Sequence, residues 1–187
     1  MKNKEITADA MSGDPASALT DMASSALRGL SQAAIAEYCL RIDGNLSFDD
    51  GSVLELKHRR IEKVHLSSFD HYGLHDNVLL LRYLQAMLTI DYSCGERETT
   101  KAWQDFRKYQ REFRNVMGTD IMQSAYVNQN ARLMSFHSFS LPQFMTILES
   151  AKSAEDFVSE MCLTAHLTTA SKDWYHDYAF VKGIHAR

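Results

Sequence analysis

Cysteine, histidine and aspartate occur close together near the end of the chain: Cys162, His166, Asp173, His176 and Asp177. On a helix, Cys162 and His166 stand at i and i+4, so the imidazole could take the thiol proton while Asp173 orients the ring, the arrangement of a cysteine nucleophile. The same spacing suits a structural cysteine. Cys162 falls mid-helix among Val158, Met161 and Ala165, whereas reactive thiols favour electropositive, partly exposed places such as helix N-termini. A second group, His65, Asp70, His71, His75 and Asp76, offers nitrogen and oxygen ligands. His65, His71 and His75 are the metal-ligand candidates in it. Gly73 interrupts the run, the spacing fits no metal motif, and a solvated loop leading to a helix-capping Asp76 explains the same residues.

A third pattern interleaves Lys101, Arg107, Lys108, Arg111 and Arg114 with Trp103, Phe106, Tyr109 and Phe113. Basic and aromatic residues together can follow phosphates and stack bases. Glu96, Glu98, Asp105 and Glu112 dilute that charge, however, and the net charge of −4 with a pI near 6.0 supplies no field for nucleic acid or an anionic membrane. Nucleic acid is therefore not an expected partner. The aromatic stripe also has the spacing of a core face. Nine methionines complete the set, and flexible thioethers suit irregular partner surfaces as well as cores. Trp103, Phe106, Tyr109, Phe113, Met117, Met122 and Met134 are accordingly the candidate partner-binding residues, with Tyr126 and Phe139 expected to be exposed. The sequence contains no Gly-rich phosphate loop, G-x-S-x-G, H-E-x-x-H or EF-hand loop, and no cofactor is expected.

These side chains need a scaffold. A chain of 187 residues with 45% hydrophobic and 24% charged residues can build a full core without disulfide or metal. Three widely spaced cysteines fit a reducing, cytoplasmic setting, and no apolar run is long enough for an integral membrane segment. Residues 1–13 read as a flexible tail and 14–187 as one mainly helical domain. Asp14-Pro15 starts a helix reaching Arg41, with Gly29 as a point of division. Asp50-Gly51 marks a two-residue hairpin turn between strands in the stretch 45–66. A helix buried over most of its girth follows Asp76. Another runs from Glu96 to Met117, with Gly118 as its C-cap. Thr119 starts a helix to about Phe136, Ser140 to Gln143 form a capping box, and Ser153 starts a last helix through Leu167. The class is α+β, predominantly α-helical, with one small antiparallel hairpin or short sheet packed on a helical core.

Three patches in order, Ile61-Glu-Lys-Val-His-Leu66, Arg82-Tyr-Leu-Gln-Ala-Met87 and Arg132-Leu-Met-Ser135, resemble the small acidic adaptor proteins of type IVB secretion systems. The resemblance implies an acidic, cytoplasmic α+β chaperone without enzymatic activity. Such a protein pairs with a second small adaptor, binds secreted substrates and delivers them for protein transport in virulence. A secreted bacterial effector acting through protein binding is a further reading, drawn from the small-residue N-terminus; a cysteine-dependent enzyme using Cys162 and His166 is the alternative of another class.

Overall fold

In the computed structural model, residues 13–67, 74–91, 100–164, 167 and 173–183 are described. The expected tail up to residue 12, together with Asp70, His71, Cys94 and His166, lies outside them. Among the described residues helices dominate, with two small two-stranded sheets, so the α+β class read from the sequence is what the chain adopts. Its contacts divide into two compact units, each built from two segments: residues up to His65 with Leu84–Phe136, and Leu66–Tyr83 with the residues from His137 onward.

In the first unit, helix α1 (Pro15–Met22) opens where expected. The Asp14 carboxylate accepts hydrogen bonds from the Ser17 amide (3.0 Å) and hydroxyl (2.6 Å). One π-helical turn, Ala23–Leu27, then joins it to α2 (Arg28–Asp43). Ser25 donates to the Asp21 carbonyl at 2.6 Å, the side-chain back-bonding that distorts helices. Gly29 does not divide the helix. It admits another part of the fold, since a Cβ there would lie 2.8 Å from the His65 ring.

The helix ends on Gly44 in the left-handed region (φ 74°), and strands β1 (Asn45–Ser47) and β2 (Val53–Glu55) pair antiparallel, Leu46 opposite Leu54. The loop between them has three residues, not two. The Gly51 amide donates to the Phe48 carbonyl at 2.9 Å, Gly51 adopts φ 82°, and Phe48 and Ser52 form the closing pair. Both strands are largely exposed, so the hairpin is covered less than its sequence suggests, with Leu56 beyond it carrying the buried contact.

β3 (Lys63–Ser67) pairs in parallel with β4 (Phe136–Ser140). The helix expected from Thr119 to about Phe136 gives way to a turn at Met134 and Ser135, after which Phe136 opens β4. That segment instead forms two short helices, α5 (Asp120–Ser124) and α6 (Gln129–Leu133), because Asn128 caps the second by accepting from the Ala131 amide at 2.8 Å. Before them, α3 (Asn77–Thr89) starts at the expected Asp76 cap (2.8 Å to the Val78 amide). It buries one stripe, Leu80, Leu84 and Met87, while Val78 and Leu79 are exposed, so it is covered on a narrower face than its composition predicts. α4 (Lys101–Met117), capped by Thr100, turns Trp103, Phe106, Gln110, Phe113 and Met117 inward against Ala23, Ala26, Leu27, Leu30 and Ala34. The small residues let these helix axes approach closely.

In the second unit, α7 (Leu141–Ser150) begins with the expected capping box: Ser140 Oγ accepts from the Gln143 amide, and Gln143 Oε1 accepts from the Ser140 amide. α8 (Ala154–Thr164) is capped by Ser153, and Leu167, the next described residue, is not helical. A further helix, α9 (Trp174–Val181), was not foreseen. Phe139, Phe144 and Phe157 make successive ring contacts through this unit, and Trp174 stacks on Tyr178 with centroids 4.9 Å apart.

Candidate functional site

Five of the seven aromatic and methionine residues read as partner-binding lie in the interior. Trp103, Phe106, Phe113, Met117 and Met122 are each 3% exposed or less. Tyr109 and Met134 are half-buried. Tyr126 and Phe139 are not exposed aromatics either: Phe139 is fully buried, and Tyr126 is anchored by its hydroxyl. The amphipathic pattern of α4 is that of a core face, and its aromatic stripe is used there.

Among the residues considered for thiol chemistry, Cys162 is half-buried in the last turn of α8. Asp173 is occupied as the N-cap of α9, accepting from the amides of Tyr175 (3.0 Å) and His176 (3.3 Å). A carboxylate engaged in this way serves the helix start. Of the metal candidates, His65 packs its ring against Gly29 in the first unit, and His75 Nε2 lies 3.0 Å from Ser67 Oγ in the second. Each imidazole has its own local engagement.

The densest polar arrangement was not legible in the sequence. In the first unit Glu37 and Arg41 of α2, Lys63 of β3, Tyr126 and Ser135 converge, with side chains of Glu37, Lys63 and Arg41 only 0%, 3% and 4% exposed. Lys63 Nζ is paired with Glu37 Oε2 and donates to Ser135 Oγ (2.6 Å) and Tyr126 OH (3.2 Å). Arg41 Nε donates to Glu37 Oε1 at 2.8 Å, and Tyr126 OH donates to the same oxygen at 2.7 Å. Ser135 Oγ donates to the Arg132 carbonyl at 2.7 Å, while Arg132 reaches the Met117 carbonyl. Burial pushes the Lys63 ammonium below its ordinary pKa against the opposing pull of Glu37, and burial likewise raises the Tyr126 phenol.

A serine beside a lysine can act as nucleophile and base, but Ser135 is fully buried and Lys63 is 4% exposed, so no substrate reaches them. The cluster acts structurally, tying α2, β3, the 126 turn and the start of β4 into one unit. Lys63 lies in the stretch Ile61–Leu66 and Arg132 and Ser135 in the stretch Arg132–Ser135, so in this chain those two stretches serve the fold. The signal that could have found them is charge inside apolar sequence: Lys63 between Ile61 and Val64, and the i,i+4 pair of Glu37 and Arg41.

A surface able to meet a partner lies in the second unit. The capping box fixes where α7 starts and therefore which residues share a face. Gln143 and Ile147 point inward, 7% and 0% exposed, and Phe144 packs on Phe139 and Phe157. Leu141, Met145 and Leu148 then stand at i, i+4 and i+7 on the outer side, exposed by 54%, 41% and 47%. They form an apolar stripe roughly 10 Å long at 1.5 Å per residue, bordered by the exposed Glu149 and free of lysine and arginine. Burying three such side chains, each worth about 1.5–3 kcal/mol from full exposure and about half that from here, gives on the order of 3 kcal/mol before other contacts. Met145 is the methionine that faces outward here, while Met117, Met122 and Met161 fill interiors.

No helix among the described residues is long and apolar enough to cross a membrane. The chain matches no protein-family profile, no curated protein and no solved structure.

Proposed function

We propose that this chain is a non-enzymatic protein-binding adaptor that engages its partner through the outer face of α7. The observation that carries the reading is the exposed stripe Leu141, Met145 and Leu148 on a helix whose opposite side is already packed. A helix that is apolar on both sides has one face more than its own unit uses. Anchors at i, i+4 and i+7 are the pattern by which a helix fits an apolar groove on another protein. The likeness of the patches Ile61–Leu66, Arg82–Met87 and Arg132–Ser135 to type IVB secretion adaptors suggests the setting: a chaperone-like subunit that pairs with a second small adaptor and hands over secreted substrates. The acidic balance of the chain suits work near anionic membranes without adsorbing to them.

The test is isolation of the tagged full-length chain from its native cells, with mass spectrometry and sizing of the complex. A stoichiometric small partner accompanied by secretion components supports the proposal. A monodisperse monomer that retains nothing opposes it.

A further inference from the structure

Arg107, Arg111 and Arg114 stand at i, i+4 and i+7 of α4 and so share one face. With Asp91, Gln110 and Asn115 they line an open cleft of about 330 Å³. Among the described residues, three guanidiniums against one carboxylate leave a net +2 (3 − 1) in the cleft, on a chain whose formal charge is −4. Elsewhere on the helix Lys108 lies 3.9 Å from Glu112, so the uncompensated charge is local and does not continue as a track for a polymer backbone.

The cleft already holds an anionic group of its own. The Asp91 carboxylate accepts from Arg114 at 2.6 Å and lies 4.0 Å from Arg107, yet its side chain is 78% exposed. An anion arriving from solvent can therefore displace it. Arg114 is fixed from behind, because its Nε donates to the Met87 carbonyl at 2.7 Å and its Nη2 to that of Ile90. Gln110 donates to the same two carbonyls at 3.2 and 3.0 Å. This end of the cleft is thus held by the carboxyl end of α3. Arg111 is exposed, with no side-chain partner among the described residues.

We propose that this cleft binds a doubly charged phosphate group, as inorganic phosphate or a small phosphate monoester. Arg107 and Arg111 clamp the oxygens, Arg114 supports them, and the Asn115 amide is a neutral donor at the rim. Phosphate carries about −1.5 to −2 at neutral pH, matching the local charge, and guanidinium groups engage its oxygens in paired hydrogen bonds. The site lies in the first unit and is independent of the α7 reading.

Calorimetric titration of the full chain with inorganic phosphate and with glycerol phosphate, at pH 7.5 and constant ionic strength set with sodium chloride, tests it. Saturable 1:1 binding is expected, weakened about tenfold by Arg111→Ala through loss of a charged hydrogen-bonding group and tightened by Asp91→Asn. Stronger binding of glycerol phosphate identifies an ester as the ligand; equal or stronger binding of inorganic phosphate identifies the free ion. Absence of saturable binding at constant ionic strength overturns the proposal. So does affinity that Arg111→Ala leaves unchanged in a variant with wild-type thermal stability, or a loss of affinity in Asp91→Asn.

Discussion

Removing Glu37 should cost the first unit far more than removing Lys63, although the two are paired with each other. In Glu37→Leu the carboxylate that faces Lys63, Arg41 and the Tyr126 hydroxyl disappears. Two cations, 3% and 4% exposed, are left beside each other, with Arg41 already acting against the charge on Lys63. Breaking a buried ion pair from one side costs about 3–5 kcal/mol. At about 2–4 °C per kcal/mol for a chain of this size, the melting temperature should fall by roughly 6–20 °C. In Lys63→Met, Glu37 keeps Arg41 (2.8 Å) and Tyr126 (2.7 Å), and Ser135 still donates to the Arg132 carbonyl. The loss should be about 1–3 kcal/mol, that of a hydrogen-bonded charged group. The double variant no longer leaves two cations beside each other, so its cost should fall below the sum of the two by at least about 1 kcal/mol. Thermal and urea denaturation of the three variants measures this. Equal single costs, or strict additivity, would refute the view that the cluster is one coupled buried unit.

Gly29→Ala would normally stabilise a helix interior by up to about 1 kcal/mol, but here the new Cβ meets the His65 ring at 2.8 Å. We expect a net loss of about 1–3 kcal/mol in thermal denaturation, the usual cost of overpacking, partly recovered in Gly29→Ala/His65→Ala. At alkaline pH the second unit should weaken. Burial, with Glu160, raises the Tyr178 phenol, and Lys182 is also raised because its bonds to Glu160 and Tyr178 outweigh its burial. The folded chain therefore keeps protons that the unfolded chain releases near pH 10, and stability is full below that pH and falls as pH rises through the folded-state values. Stability measured from pH 9 to 11 should decline less steeply in Tyr178→Phe than in wild type.

Local chemistry was readable from sequence where a few neighbouring residues decide the outcome. Asp14, Asp76, Thr119, Ser140 and Ser153 all cap the helices they were expected to start, because each needs only amides two or three residues ahead. Features set by distant parts of the chain were not. The burial of Phe136–Ser140 makes β4 a continuous covered run without the alternation of a half-exposed strand. The Lys63 cluster joins residues up to 98 positions apart, Glu37 to Ser135. On α7 the periodicity marked a helix but could not say that Ile147 would face inward while Met145 faced solvent. The aromatic stripe of α4 illustrates the same point from the other side, since a core face and a binding face are written in the same residues at the same spacing.

The most direct test of the adaptor proposal compares the wild-type chain with Met145→Glu/Leu148→Glu for affinity toward the partner recovered with it, by calorimetry on purified components. Both positions are on the solvent side of α7, so the variant should keep its helical content and melting temperature. The account predicts at least about a hundredfold loss of affinity, as expected when central apolar anchors are replaced by charge. Unchanged affinity in a well-folded variant would contradict it and place the partner surface elsewhere on the chain.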